Sequence, residues 1–189
     1  FKSHNSYFFE RSSYVRIIAG KFKSRIIKNP RGHRTHPMSE RIRGALFNVI
    51  GDIEGRSFLD AFSGSGAIAI EALSRGAVGV KAVEINADSY DVLQANRDLV
   101  TDSDELQVYR ANIKTWLKNQ DRLFDIVVAD PPYDNVSMNA LDVVAKYVEI
   151  GGLLIVSLPP AEHAKFKGFD KLDEKRYGNA KLVFYRRKK

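Results

Sequence analysis

Two short stretches of the chain carry residue types that could do chemistry. The first is Asp130-Pro131-Pro132-Tyr133, which follows the unbroken apolar run Ile126-Val127-Val128-Ala129. Such a run reads as a strand buried on both faces. Two consecutive prolines end it, because neither has an N–H to give to a neighbouring strand. Asp130 is thereby expected at a strand's carboxyl end, the edge at which open α/β sheets bind ligands. The prolines fix the backbone so that the Asp130 carboxylate, the Pro131 carbonyl and the Tyr133 ring are presented together. Two acceptors beside an aromatic plane suit a flat substrate that bears an amino group. For the tetrapeptide taken alone, a plain loop after a buried strand is an equal reading.

The second stretch is Ser63-Gly64-Ser65-Gly66, which leaves the run Phe58-Leu59-Asp60-Ala61-Phe62. With Ala69 it fits the G-x-G-x-x-G/A pattern, and Glu84 lies twenty residues beyond Gly64, where a ribose-binding acid would stand. A nicotinamide enzyme and an ordinary tight turn both compete at this step. Asp60 separates them, since an acid at the end of that strand repels a pyrophosphate but suits an ammonium group.

These residues must be positioned by the elements around them. Strands are expected at Phe58 to Phe62, Val80 to Glu84, Leu106 to Tyr109 and Asp125 to Ala129, with helices at Ala67 to Arg75, Ala87 to Leu99 and Ile113 to Lys118. Strands alternating with helices imply a parallel sheet with right-handed crossovers. Asp60, Gly64, Glu84, Asn112 and Asp130 then all fall at one edge. Asn112 could bond an adenine edge or simply cap the helix that follows. A helix is expected near Met138 to Tyr147. Gly151-Gly152 reads as a turn into the strand Leu153 to Val156, and Phe169 to Lys175 with Lys181 to Tyr185 reads as a C-terminal hairpin followed by a basic tail, Arg186 to Lys189.

Ahead of this lies a basic amino-terminal third. Residues 1–56 hold twelve Lys and Arg against four Asp and Glu, a net +8, whereas the remainder is −1. Val15 to Ala19 and Ser24 to Lys28 read as a small hairpin. Ile42, Ala45, Leu46, Val49 and Ile50 mark one face of a helix with Ser39 as N-cap and Gly51 as its stop. Nine Lys or Arg between Arg16 and Arg43 stand against the single acid Glu40, which argues for a polyanionic partner, nucleic acid above all. The chain divides into residues 1–14, a basic hairpin and arm over 15–36, and a main domain over 37–189. It has no cysteine, which removes disulfides, thiolate metal sites and a cysteine nucleophile. No pair of the four histidines has the i, i+4 helical spacing of a zinc-protease motif, and no segment reaches the ~18 apolar residues of a membrane span.

The Asp-Pro-Pro-Tyr tetrapeptide resembles the motif of amino-group methyltransferases that use S-adenosylmethionine, and Leu59 to Gly66 looks like their cofactor loop. Together with Arg34-Thr35-His36-Pro37-Met38-Ser39-Glu40-Arg41-Ile42-Arg43, Val83-Glu84-Ile85-Asn86 and the opening Val15 to Gly20, the chain resembles the bacterial 16S rRNA guanine-N2 methyltransferases over about residues 15–189. The resemblance implies a Rossmann-like class I methyltransferase fold: a seven-stranded, mostly parallel sheet with a C-terminal antiparallel hairpin and a small N-terminal β-hairpin and helix extension. It implies Asp130, Pro131, Pro132 and Tyr133 as the catalytic residues. Asp60, Phe62, Ser63, Gly64, Gly66, Glu84, Ile85, Asn112 and Ile113 would hold S-adenosylmethionine, with no metal. Arg16, Lys21, Lys23, Arg31, Arg34, His36, Arg41 and Arg43 would meet RNA. The partner is then 16S rRNA or the small ribosomal subunit, met by a monomer in the cytoplasm. His36, Gly44 and Asn112 depart from the family pattern. A DNA adenine or cytosine amino-methyltransferase, a protein-glutamine methyltransferase and a non-catalytic RNA-binding protein on the same fold are the rival readings.

Overall fold

The computed structural model describes residues 14–30, 38–101 and 103–189, so the expectations for residues 1–13 and for Arg31, Arg34 and His36 lie outside the described residues. Strands β1 (Tyr14–Arg16) and β2 (Ile26–Lys28) form an antiparallel ribbon, and helix α1 (Glu40–Ile50) follows with Ser39 as its N-cap. Next come β3 (Ser57–Asp60), α2 (Ala67–Ser74), β4 (Val78–Glu84), α3 (Ala87–Val100), β5 (Leu106–Arg110), α4 (Ile113–Leu117) and β6 (Phe124–Ala129). A 3-10 turn at Tyr133–Asn135 leads to α5 (Met138–Ala145), and β7 (Val148–Leu158), β8 (Phe169–Tyr177) and β9 (Ala180–Arg187) complete the chain.

The main sheet has the order β5-β4-β3-β6-β7-β9-β8. Its first five strands are parallel, and β9 runs antiparallel to both of its neighbours. The chain travels outward from β3 to β5 and then returns to β6, so the connections leave in opposite directions at the β3/β6 boundary. That reversal opens a crevice at the carboxyl ends of these two strands. Successive side chains alternate between the sheet's faces. Phe58, Val128 and Ile155 join the core beneath α1, α2 and α3, whereas Leu59, Val127, Ala129 and Val156 join the core with residues of α4 and α5. Among the described residues no helix is long and apolar enough to cross a membrane.

Two expectations for local structure need correction. Gly151-Gly152 is not a turn before a strand but lies inside β7, where the pairing with β6 shifts register. Gly151 has φ of 79°, a left-handed residue of the kind that lets a strand bulge without ending. The expected basic tail is in part strand: Arg186 and Arg187 finish β9, and the Arg187 guanidinium donates to the Lys146 and Val148 carbonyls.

The ribbon shares the larger core through Val15, Ile17, Phe22 and Ile27. Its attachment centres on Glu71 of α2, whose fully buried carboxylate accepts from the Ile18 and Ala19 amides at 2.7 and 3.0 Å. Arg75 pairs with it at 2.9 Å and Arg43 at 3.7 Å. Arg43 is therefore not an RNA contact. It lies three and four residues before Leu46 and Phe47, on the buried stripe of α1, and its guanidinium also donates to the Arg16 and Met38 carbonyls. Burial lowers its pKa and the Glu71 charge opposes that shift. Removing one partner of a buried ion pair leaves the other charge uncompensated, at a cost of about 3–5 kcal/mol. Arg43→Ala is accordingly expected to lower the free energy of unfolding by about 3 kcal/mol, near the bottom of that range because Arg75 remains. Urea unfolding measures this, and an unchanged midpoint would remove Glu71 as the anchor of the ribbon.

Candidate functional site

The crevice between β3 and β6 is bordered by acids from both strands. Asp60 ends β3 and pairs in register with Val128, and Ala129 pairs with Val156. Asp60, Asp130 and Ser157 stand two residues beyond Phe58, Val128 and Ile155, so strand alternation turns them toward the same face of the sheet. Asp60 is fully buried. One of its oxygens accepts from the Ala69 amide at 3.2 Å, satisfying a free donor in the first turn of α2. Among the described residues the other oxygen makes no hydrogen bond of good geometry, although the Phe62 amide also favours the charged carboxyl. Burial, with the nearby Asp130 charge, pushes the Asp60 carboxyl up to about 8.

Asp130 is half-buried, and burial pushes it up to about 6 while the nearby Ser157 hydroxyl works against the rise. The Tyr133 hydroxyl lies 2.5 Å from the Ser157 hydroxyl. Burial and the Asp130 charge push Tyr133 up to about 12. Ser157 was not among the residues expected at the site. Its signal was a lone hydroxyl in the apolar run Leu153 to Leu158, on the strand next to the one that carries Asp130.

On the β4 side the glycine turn is built from its own backbone. Ser63 donates its amide to the Val83 carbonyl and its hydroxyl to the Asp60 carbonyl, and Gly66 donates to the Ser63 carbonyl. Gly66 has φ of 80°, and a Cβ there would strike Leu93 of α3. Gly64 has φ of 53° but faces open space, so only its backbone conformation demands glycine. Glu84 accepts from the Gly64 amide at 2.8 Å and from the Asn86 amide at 2.7 Å, and it thus ties the end of β4 to the turn. Ile85 beside it is 61% exposed, whereas Phe62 packs against the second core. Asn112 is the N-cap of α4, its side chain accepting from the Lys114 amide at 3.0 Å, and Ile113 is buried behind it.

The basic residues are spread over the ribbon and α1. Arg16 pairs with Glu40 and Lys21 with Glu105, both at the surface, and Lys23 and Arg41 are exposed. One side chain joins the ribbon to the glycine turn. Asn96 of α3 accepts from the Lys28 amide and donates to the Lys28 and Ser65 carbonyls, each within 2.9 Å. The ribbon therefore ends next to the cofactor-type loop.

The family profile described as Conserved hypothetical protein 95 matches residues 15–186. The chain belongs to that family. The Ribosomal RNA small subunit methyltransferase D of Buchnera aphidicola subsp. Baizongia pistaciae is 37% identical over 63% of this chain, and the protein of that name from Escherichia coli K12 is 33% identical over 65%. These matches span 61% and 62% of the two relatives' lengths. The solved structure of the Escherichia coli protein yhhF superposes with a TM-score of 0.82 at 26% identity, covering 93% of this chain and 98% of the other. The seven-stranded sheet, its C-terminal hairpin and the expected class I fold are thereby shown.

In this member of the Conserved hypothetical protein 95 family, Glu84 holds the glycine turn before any ligand arrives. Glu84→Ala should release the Gly64 and Asn86 amides, each of which loses a charge-assisted hydrogen bond. Amide hydrogen exchange at these two residues should accelerate by roughly tenfold or more, with the core of β4 unchanged. Parental protection at Gly64 would mean that the turn stands without Glu84.

Proposed function

We propose that this chain transfers a methyl group from S-adenosylmethionine to the N2 amine of a guanine in small-subunit ribosomal RNA, acting as a monomer in the cytoplasm. The observation that carries the reading is the convergence of Asp60, the glycine turn, Glu84 and Asp130-Pro131-Pro132-Tyr133 on one sheet edge at the β3/β6 crossover. The names of the relatives support it.

The residues present fit the cofactor. The second oxygen of Asp60, buried and without a well-formed hydrogen bond among the described residues, can accept from an amino acid's ammonium group, whose charge in turn favours the ionised carboxylate. Glu84 uses both oxygens on amides, yet a carboxylate has about four acceptor positions and keeps capacity for ribose hydroxyls. The exposed Ile85 offers an apolar surface to a purine ring, with Phe62 and Ile113 behind the loop and Asn112 at the end of β5. S-adenosylmethionine supplies, when bound, a methyl group made electrophilic by the sulfonium.

Asp130 and the Pro131 carbonyl supply the acceptors for the target. An exocyclic amine is a weak nucleophile because its lone pair is delocalised into the ring. Two acceptors on its hydrogens localise the pair and favour the positive charge that develops on nitrogen. The Tyr133 ring is placed to stack on a base taken out of its helix. Asp130 need not be a strong base, since the amine's proton becomes acidic only once the methyl group is bound. Asp130→Ala should lower the single-turnover rate by about a hundredfold to a thousandfold, the range for losing one preorganised polar group. Asp130→Asn, which retains an acceptor oxygen, should do less damage. The ionised form is the acceptor, so the parental rate should fall as pH drops through about 6, and this limb should vanish in Asp130→Asn. Parental rates in an Asp130→Ala protein that still binds S-adenosylmethionine would sink the reading.

RNA is held by the basic amino-terminal third. The ribbon, which carries the exposed Lys23, adjoins the glycine turn through Asn96; Arg41 of α1 is exposed as well, and Arg31, Arg34 and His36 lie in the sequence between them. Replacing Lys23 and Arg41 with Ala should reduce the slope of log affinity against log salt, by roughly 0.7–0.9 for each lost phosphate contact. Filter binding to guanine-containing rRNA at several salt concentrations reads this. Superimposable slopes for variant and parent would place the polyanion on another surface.

A further inference from the structure

We propose that Asn96 is a positioning residue for the cofactor, and that through it RNA on the ribbon and S-adenosylmethionine at the glycine turn strengthen each other's binding. This rests on the reading that places those two ligands at those two sites. Asparagine is a poor helix former, because its side chain competes for backbone groups. Asn96 nevertheless lies well inside α3, on the buried stripe Ser89, Leu93, Asn96 and Val100, and is 0% exposed. A buried amide must find partners for its polar atoms. Its oxygen accepts from the Lys28 amide at 2.9 Å, and its nitrogen donates one proton to the Lys28 carbonyl and the other to the Ser65 carbonyl, both at 2.8 Å. The opposite orientation of the amide would set its oxygen against two carbonyls, so the chemistry of the partners fixes this one.

Two of these bonds take both backbone groups of Lys28, the last residue of β2, as a further strand of the ribbon would. The third enters the glycine turn from behind. Ser65 is buried, and a Cβ on Gly66 would strike Leu93, three residues before Asn96 on the same helix. One face of α3 therefore shapes the turn twice, by contact at Gly66 and by a hydrogen bond at Ser65. Glu84 holds Gly64 from the β4 side and is only half-buried, within reach of a ligand. Asn96 is closed off, so a change there reaches the cofactor only through the turn. The two states are the ribbon's end seated on α3 and released from it. Release of Lys28 takes two of the three bonds from Asn96 and frees its side chain to swing, which loosens Ser65. RNA on the ribbon keeps Lys28 seated, and a cofactor that orders the turn keeps Asn96 in place for Lys28. Each ligand then finds part of its ordering already done, which tightens binding at one site when the other is filled. The factor is the same in both directions.

The probes are S-adenosylhomocysteine, which binds without reacting, and a uridine homopolymer, whose bases carry no exocyclic amine to occupy the crevice. Calorimetry measures the affinity of each alone and with the other saturating, in the parent, in Asn96→Ala and in Asn96→Leu, which fills the space without a polar atom. In the parent each ligand should tighten the other by roughly fivefold to tenfold. In both variants S-adenosylhomocysteine alone should bind about tenfold more weakly, and the mutual effect should vanish. Single-turnover methylation of guanine-containing rRNA should then be slow at low S-adenosylmethionine and recover at saturation, because Asn96 touches nothing that reacts. Exchange of the Asn96 side-chain amide protons, followed by NMR in the parent, should slow when either ligand is added, and this measurement decides even where a variant does not fold. Two ligands that bind the parent independently would overturn the coupling. Parental coupling in the folded variants, or Asn96 exchange unmoved by both ligands, would overturn the route through Asn96. A loss of rate that persists at saturating cofactor would overturn the positioning role in favour of general loosening. Failure of the underlying reading looks different, since S-adenosylhomocysteine or the homopolymer would then not bind the parent at all.

Discussion

Two carboxyl groups, Asp60 and Asp130, are held at the ends of neighbouring parallel strands where burial disfavours charge on both. Water solvates an isolated carboxylate far better than a protein crevice does, so the surrounding structure must supply donors or leave a group protonated. It does both. Asp130 lies beside Ser157 and remains the more acidic of the two, whereas Asp60 has the Ala69 amide on one oxygen and, among the described residues, no well-formed bond on the other. The difference separates two identical side chains, and it is the basis for proposing that one accepts from a neutral amine while the other meets a cation.

The rest of the molecule serves that arrangement at one remove. The reversal of strand order between β3 and β6 removes a covering connection from just the place where the acids emerge. Glu84 and the left-handed glycines shape the turn on one flank, and the paired prolines shape the other. Each device works on backbone. The turn's amides and carbonyls are matched before a ligand arrives, which spares binding the ordering of a loop.

The basic ribbon is tied to this centre by two buried polar groups. Glu71 of α2 collects two ribbon amides and the guanidinium groups of Arg43 and Arg75, and Asn96 joins Lys28 to Ser65 of the glycine turn. Buried polar networks of this kind are costly to leave half-satisfied, so the ribbon has a single well-defined seat. Its position relative to the crevice between β3 and β6 is then set by the core, not by the flexible reach of surface lysines.

Much of the site was legible in the chain itself because its cues are local. Asp130 had to leave the sheet since two prolines follow it, Gly66 had to be glycine at its φ, and the alternation of strands and helices placed Asp60, Glu84, Asn112 and Asp130 at one edge. Ser39 and Gly51 bounded α1 by capping chemistry that depends on a few neighbouring residues. Other features depend on contacts between distant segments, and no local pattern encodes them. Arg43 looked like an exposed cation because arginine usually is, yet the helix repeat carries it onto the buried stripe opposite Glu71. Gly151-Gly152 looked like a turn, yet pairing with β6 draws it into a bulged strand. Ser157 carried no motif, and it became part of the site only when β7 was laid beside β6. The sequence by itself determined the fold class, the place of Asp130-Pro131-Pro132-Tyr133 at a strand's carboxyl end and the basic character of the amino-terminal third. Only the tertiary structure decided which cations stay at the surface, which carboxyl is the more acidic and which hydroxyl meets Tyr133, because each depends on burial and on partners that folding brings from far along the chain.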